Sequence, residues 1–276
     1  MNTSIQLIDP SFQTQHSGKC DLLLEILPSA IQFAVVDKGQ DQLKVLYRIE
    51  DFTGDTEKFT ELTQLAPALQ HHYRKVKVGV KSPQFTLIPE DLFDKSLLAE
   101  YAKFISNNED DLIRYNHIRS AKCMVVFTLP SHLVHLLQTQ FHEPQFFHAA
   151  ATNIEAGIKW AKVNDGTLFM LHLTDNHLEC TSFKEGKLTF FNVFPARSAD
   201  EFNYFLLNLM NQLDIDLENT SWLLAGNWNQ EYLSRLEKYS QQIIYTEENV
   251  FVKIEAPFDQ LELHPFFSLT ALSLCE

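Results

Sequence analysis

The chain has 276 residues, of which 45% are hydrophobic and 21% charged, a composition typical of a globular rather than a disordered protein. Its 36 acidic and 22 basic residues give a formal net charge of −14, which disfavours binding to nucleic acids and to anionic membrane surfaces. Its apolar runs fall well short of the ~20 residues that span a bilayer, so we expect no membrane insertion and a cytoplasmic location.

The first part of the chain predicts an antiparallel meander followed by a helix and a strand. Residues 1–18 are polar and weakly patterned, which predicts a tail on the surface. From Thr56 to His72 apolar residues recur every three or four positions, which predicts an amphipathic helix. The strands are predicted at residues 20–27, 31–36, 43–49 and 75–80.

The middle of the chain predicts further strands and helices, and residues 146–151 fit either a strand or the start of a helix. The turn-forming run Asn164-Asp165-Gly166 favours a domain boundary in this region, and we predict two domains, 1–150 and 151–276. The strands are predicted at residues 84–88, 111–117 and 122–129, and the helices at 92–105, 131–140 and 153–163.

The stretch from Thr167 to Asn227 repeats the order of the first meander. Its strands are predicted at residues 167–174, 177–184, 187–194 and 221–225, with a helix at 199–213 before the last of them. The rest of the chain predicts a helix at 230–239, strands at 241–246 and 250–254, and an apolar segment at 265–274.

The two meanders align residue by residue once their loops are allowed to differ in length. Leu24 aligns with Leu171, Leu43 with Leu188, and Phe59 with Phe202. In both copies a capping residue precedes the helix, Asp55 in the first and Ser198 in the second. This agreement predicts an internal duplication.

A doubled unit of three strands, a helix and a strand resembles the actin-like ATPase superfamily, in which two ribonuclease-H-like domains flank a nucleotide cleft. The meander at 166–194, with Lys184-Glu-Gly-Lys-Leu-Thr-Phe-Phe in its second hairpin, is similar to the second-domain start of the actin homologues of pilus assembly and cell division. The whole chain, including Leu263-His-Pro-Phe-Phe-Ser-Leu and the ending Leu274-Cys-Glu276, resembles a bacterial family of unknown function. The resemblance implies an α/β fold of two such domains, each a mixed sheet with flanking helices, but a fold does not determine a function.

The resemblance also implies where a nucleotide would bind. Active members of the superfamily place an Asp and glycines in the first hairpin turn of each domain, where they hold magnesium and phosphates. Asp175 stands at the position of this acid, with Asn176 and His177 in place of glycines, and Gly226 and Asn227 occupy the adenosine-binding turn. These matches make Asp175, Asn176, Gly226 and Asn227 the candidate residues for ATP and magnesium.

The same turns depart from the pattern of an active ATPase. The first-domain turn, from Glu25 to Ser29, contains Pro28, which has no amide to donate. The whole chain has only 8 glycines, and loops around phosphates usually need residues of positive φ without a Cβ. Asn tolerates positive φ, so Asn176 and Asn227 could partly substitute. The sequence therefore predicts degenerate phosphate loops.

The remaining motifs give only weak evidence for a functional site. His132 and His135 lie three residues apart on a predicted helix, with His142 and His148 nearby, but a metal site needs a third ligand and supporting contacts. We favour exposed or core-edge histidines and predict no metal site. The four cysteines are widely spaced, which argues against a zinc ribbon or a disulfide framework.

Three hypotheses about function remain. The favoured one is a non-catalytic interaction or scaffold protein, a pseudo-ATPase with an unknown protein partner. The alternative is an ATP-binding switch or kinase-like enzyme that uses an unconventional cleft. The third is a protein that binds another small molecule in the interdomain cleft.

Overall fold

The computed structural model describes residues 2–106, 108, 110–163, 166–174, 176–240, 242–246 and 251–276. The contacts of the chain divide it into two compact units. The first unit comprises residues 1–153, 250–261 and 268–276, and the second comprises 154–249 and 262–267.

Most predicted elements are present within a residue or two of their predicted ends. The strands of the described residues are β1 (Asn2–Ile8), β2 (Cys20–Ile26), β3 (Ala30–Asp37), β4 (Gln42–Glu50), β5 (Lys75–Val80), β6 (Phe85–Pro89), β7 (Asp111–Ile118), β8 (Cys123–Pro130), β9 (Gln145–His148), β10 (Thr167–Thr174), β11 (His177–Lys184), β12 (Lys187–Pro195), β13 (Thr220–Gly226) and β14 (Ile243–Tyr245). The α-helices are α1 (Thr56–Leu65), α2 (Leu98–Ile105), α3 (Ser131–Gln140), α4 (Ala149–Ala161), α5 (Ala199–Gln212), α6 (Gln230–Leu236) and α7 (Phe267–Ala271).

Each unit is built around one mixed sheet. The six-stranded sheet of the first unit has the order β1-β4-β3-β2-β5-β9, and a separate three-stranded sheet has the order β6-β8-β7. The five-stranded sheet of the second unit has the order β12-β11-β10-β13-β14. In both main sheets the three-stranded meander is antiparallel and the two strands that follow add in parallel.

The two main sheets also share their irregularities. A bulge interrupts the β3–β4 pairing between Val35 and Val36, and the β11–β12 pairing has a bulge at the equivalent place, between Ser182 and Phe183. The predicted caps Asp55 and Ser198 each accept a hydrogen bond from the amide three residues later. The units therefore share strand order, direction and register, while their origin by duplication stays a prediction.

The N-terminal residues are not the predicted polar tail. Strand β1 pairs antiparallel with β4, with Leu7 opposite Leu46. Directly after β1, the carboxylate of Asp9 accepts a hydrogen bond from Lys44 Nζ at 2.8 Å, and both side chains are buried. For residues 2–8 the prediction of a tail was wrong because an edge strand buries only part of one face and leaves a weak apolar pattern.

Three other predictions need correction. The helix predicted to His72 ends at Leu65, and a 3₁₀ turn follows that begins at Pro67, whose missing amide ends the helical ladder. The helix predicted over 92–105 is α2 preceded by two short 3₁₀ turns. In place of the strand predicted at 250–254, Lys253 makes an isolated bridge to Gln42, and residue 250 lies outside the described residues.

A buried lysine ties the C-terminal residues to the first unit. Lys77, on β5, is 3% exposed, and its Nζ donates to the carbonyls of Leu272, Ser273 and Cys275 at 3.2, 3.4 and 2.5 Å. Burial lowers the pKa of Lys77, against the opposing effect of nearby Asp21. The structure therefore groups residues 268–276 with the first unit, whereas the sequence pattern placed all of 151–276 in one domain.

Replacing this lysine tests the C-terminal link. We expect Lys77→Met to lower the free energy of unfolding by about 1–3 kcal/mol, because the buried carbonyls lose their donor. Urea unfolding measures the loss, and limited proteolysis should show earlier cleavage near the C-terminus. Lys75→Met is the matched control, since Lys75 is exposed on the same strand. Equal stability of the two variants would contradict the structural role of Lys77.

Candidate functional site

The described candidate residues lie at the carboxyl ends of two neighbouring parallel strands in the second unit. Leu173, near the end of β10, is the register partner of Gly226, the last residue of β13. Asn176 lies in the turn after β10, and Asn227 follows Gly226 directly. The carboxyl ends of parallel strands are where open α/β sheets usually bind ligands. Asp175 lies outside the described residues, so its role as the candidate acid stays a prediction.

Gly226 is required by a close backbone approach. Its φ is +85°, and a Cβ at this position would lie 2.0 Å from the carbonyl oxygen of Leu173 and 2.6 Å from Cδ2 of His172. Its own carbonyl accepts a hydrogen bond from Nδ1 of His264 at 2.5 Å. The glycine therefore allows the end of β13 to pass close to the backbone of β10. Its carbonyl forms a hydrogen bond within the second unit.

The turn after β13 uses its polar groups internally. The amide of Asn227 donates to the carbonyl of Leu173 at 2.7 Å, and Nε1 of Trp228 donates to the carbonyl of Ala225 at 2.8 Å. The side chain of Asn229 caps α6 by accepting from the amides of Glu231 and Tyr232. These bonds occupy donors that an active nucleotide site would direct at its ligand.

Backbone groups in the two hairpin turns also form hydrogen bonds within the chain. In the second unit the carbonyl of Asn176 accepts from the amide of Ala196 at 2.8 Å. In the first unit the amide of Leu27 donates to the carbonyl of Ala30 at 2.9 Å, and Pro28 has no amide. Backbone groups in both turns thus serve the fold, and the degeneracy of the phosphate loops stays a prediction.

Each unit has a cross-strand pair of buried polar residues that was not predicted from the sequence. On β2 and β3, Nε2 of Gln32 donates to Oε2 of Glu25 at 2.5 Å, and both side chains are buried. At the same register position of β10 and β11, buried His172 lies opposite buried Glu179. The available signal was a polar residue at matched places in two apolar strands of the repeat.

His148, a candidate metal ligand in the sequence, is a neutral core residue. Its Nδ1 accepts from the amide of Ala150 at 3.1 Å, and its Nε2 therefore carries the proton and donates to the carbonyl of Ser82 at 2.8 Å. The residue is 3% exposed, and its ring lies against the rings of Phe85 and Phe127, with centroid distances of 4.2 and 5.4 Å. Across the described residues there is no group of three or more His, Cys, Asp or Glu side chains that could hold a metal.

A small polar cleft of about 150 Å³ lies in the first unit near the start of β2. It contains the thiol of Cys20, which donates to the carbonyl of His16. Burial, with nearby Asp37 and Asp21, raises the pKa of this thiol to about 11, so Cys20 is protonated and unreactive at neutral pH. The cleft therefore offers no reactive thiol.

A family model described as "protein of unknown function (DUF3822)" matches residues 9–243. The chain belongs to this family. A search of curated proteins gives no match. Membership agrees with the resemblance to a family of unknown function that the sequence showed.

Comparison with solved structures shows the fold. A Bacteroides thetaiotaomicron protein with an actin-like ATPase fold and unknown function is 18% identical, with a TM-score of 0.79 over 96% of this chain and 99% of that one. The PilM–PilN type IV pilus biogenesis complex is 14% identical, with a TM-score of 0.63 over 92% of this chain and 97% of the other. The chain therefore has the actin-like ATPase fold, as predicted. In the part of the chain that the structure describes, no helix has the length and apolar character needed to cross a membrane.

Substitution of Gly226 tests the close approach of β13 to β10. We expect Gly226→Ala to lower the free energy of unfolding by more than about 3 kcal/mol, because the new methyl group overlaps the Leu173 carbonyl and strains a positive φ. Urea unfolding gives the difference. Gly18→Ala is the control, since a Cβ there meets nothing within 4 Å. If the two variants are equally stable, the described turn is incorrect.

The buried histidine predicts a pH dependence of stability. Burial lowers the pKa of His148 to about 4, with Lys81 acting in the same direction and the Ser82 bond opposing it. The unfolded chain, with a pKa near 6.5, binds the proton first as pH falls, so this stability is complete above pH 6.5 and is lost towards pH 4. We expect the loss between pH 7 and 4.5 to exceed that of His148→Gln by about 2–3 kcal/mol.

Urea unfolding at several pH values measures both proteins, and the variant serves as the control because it keeps every carboxylate that titrates in the same range. Parallel pH profiles for wild type and variant would show that His148 is not buried in its neutral form.

Proposed function

We propose that this chain is a non-catalytic interaction or scaffold protein that keeps the actin-like fold for its surfaces. On this proposal it is a pseudo-ATPase of a bacterial cytoplasm, made of two duplicated domains, and it acts through a protein partner rather than through nucleic acid or a cofactor. The observation that carries the proposal is the internal use of backbone groups in both hairpin turns and in the turn after β13.

The turns support the proposal because a phosphate site needs several amides that point at the ligand. Pro28 removes one such amide, the amide of Leu27 bonds to Ala30, and the amide of Asn227 bonds to Leu173. Breaking any of these bonds to bind a nucleotide would cost stability before any gain from the ligand. A site built this way favours structural integrity over ligand binding.

Exposed apolar side chains support an interaction role. In the first unit, the segment that ends in α2 leaves Leu92 71% exposed and Phe104 88% exposed, and Leu97 is also exposed. Large apolar side chains exposed on neighbouring turns are typical of surfaces that contact other proteins. The similarity to PilM, whose solved structure is a complex with PilN, is consistent with this role but shows only the fold.

The alternative function, an ATP-binding switch, is favoured by one observation. Asn176, Gly226 and Asn227 meet at the carboxyl ends of β10 and β13, where a ligand of this fold class would lie. If Asp175 completes that site, magnesium and ATP would bind there.

Thermal unfolding with and without millimolar ATP and magnesium separates the two functions. We expect no shift of the midpoint, because the proposed scaffold does not bind the nucleotide. A nucleotide that did bind, at 100 times its dissociation constant, would stabilise the folded state by about 2.7 kcal/mol and raise the midpoint. Asp175→Ala and Asp110→Ala, a second loop aspartate, are measured in parallel. A stabilisation by ATP that disappears in Asp175→Ala and persists in Asp110→Ala would overturn the interaction proposal and establish the switch.

A further inference from the structure

Helix α2 and the segment before it expose three large apolar side chains. Leu92 is 71% exposed, Leu97 is 45% exposed and Phe104 is 88% exposed. Leu97 directly precedes α2, and Phe104 lies two turns further along. Side chains two turns apart lie on the same side of a helix, about 10 Å from each other along its axis. We call these three side chains the α2 surface.

The inner side of the same segment is packed. The ring of Phe93 stacks on the ring of Tyr101, with a centroid distance of 6.0 Å. The hydroxyl of Tyr101 also accepts a hydrogen bond from the amide of Asp94 at 3.1 Å. These contacts tie the residues around Leu92 to the helix that carries Phe104. The three apolar side chains are therefore exposed on a segment whose other side is held in place.

Carboxylates stand at both ends of the α2 surface. They are those of Glu90, Asp91, Asp94, Asp110 and Asp111. The first three flank Leu92, and the side chain of Asp111 accepts a hydrogen bond from Ser106, the residue that ends α2. Among the described residues, no lysine or arginine forms an ion pair with any of these five carboxylates. Both ends of the surface are therefore acidic.

The two lysines of this region lie between these ends and have contacts of their own. Nζ of Lys103 lies 2.7 Å from Oε1 of Glu100. Nζ of Lys95 lies 5.8 Å from the centroid of the Tyr115 ring, a cation–π contact. Residues 90–111 contain seven acidic residues against these two lysines, so the region keeps a net negative charge.

The backbone of α2 restricts the kind of partner that can bind. The amides and carbonyls of a helix bond to each other, so a partner meets side chains here and finds no strand edge to extend. An amphipathic helix suits such a face, because its own apolar side chains also recur over two turns.

We propose that the α2 surface binds an amphipathic helix of a protein partner, with basic residues at both ends of its apolar face. This inference rests on the proposed interaction function and names the site and the chemistry of the partner. Burial of Leu92, Leu97 and Phe104 supplies affinity, and the carboxylates at the two ends favour a basic partner over an acidic one.

A second copy of the chain fits this surface less well. Because both ends of the α2 surface are acidic, pairing it with itself in either direction places carboxylates beside carboxylates. Each chain also carries a formal net charge of −14, and two such chains repel each other. The same charges oppose contact with an anionic membrane.

The test uses random peptides displayed on phage and selected on the full-length protein. Affinity and circular dichroism are then measured on the synthetic peptides. We expect selected peptides to become helical on binding, to repeat apolar residues at helical spacing and to carry Lys or Arg at both ends of the apolar face.

Substitutions on the α2 surface test where these peptides bind. Phe104→Ser should weaken binding about tenfold or more, because a large exposed anchor is lost. Leu92→Ser is measured in parallel, so that the result does not depend on the folding of one variant. Tyr204→Ser is the matched control and should bind as wild type does, since Tyr204 is an aromatic residue 65% exposed on a helix of the second unit.

Reversal of charge tests the acidic ends. The double variant Asp91→Lys, Asp110→Lys should weaken binding severalfold, because the basic ends of the peptide then meet like charges. The double variant Glu218→Lys, Asp259→Lys is the control of equal charge change, since it reverses two exposed carboxylates elsewhere, and it should bind as wild type does.

Several results would overturn the proposal. They include failure to select any peptide, equal binding to wild type, Phe104→Ser and Leu92→Ser, and binding that is insensitive to charge reversal at Asp91 and Asp110. A dimer in light scattering that Phe104→Ser dissociates would assign the surface to a second copy. Flotation with phosphatidylcholine vesicles that Phe104→Ser abolishes would assign it to a membrane, and either assignment overturns the proposal.

ATP binding that depends on Asp175 is a separate result. It would contradict the non-catalytic function and leave the peptide measurements on the α2 surface unaffected. Loss of the peptide result without ATP binding would overturn the α2 surface alone.

Discussion

The central strand of each unit determines most of what surrounds it. Strands β2 and β10 each pair with an antiparallel neighbour on one side and a parallel neighbour on the other. Both sides of the backbone are thus hydrogen-bonded, and the side chains on both faces are largely buried. One consequence is geometric: the hairpin turn and the turn after the parallel strand come together at the same end of the sheet. That end is the ligand position of the fold class.

At this end of the sheet, the described backbone groups form hydrogen bonds to other groups of the same chain. The Leu173 carbonyl accepts from Asn227, the Gly226 carbonyl accepts from His264, and Pro28 offers no donor in the first unit. A buried or half-buried polar group must find a partner, and here the partners come from the chain itself. These internal hydrogen bonds are the physical basis for proposing a scaffold.

The two units differ most at their outer edges. Strand β1, with the Asp9–Lys44 ion pair at its end, completes the first sheet, and Lys77 holds the C-terminal residues against the same unit. Among the described residues, no strand pairs with the outer edge of β12. Since the registers of the two sheets match up to this strand, the difference in strand pairing concerns the edge alone.

The sequence by itself determined the order of elements, the capping residues Asp55 and Ser198, and the repeat that led to the fold, because periodicity and turn chemistry are local properties. Through the resemblance it also predicted Asn176, Gly226 and Asn227 as candidate residues of a nucleotide site, which stays a prediction. Only the tertiary structure decided that residues 2–8 form an edge strand, that Lys77 binds the C-terminal carbonyls and that Gly226 is needed for its contact with Leu173. Each of these depends on residues far apart in the chain, and a local pattern carries no information about which distant backbone group will come within hydrogen-bonding distance.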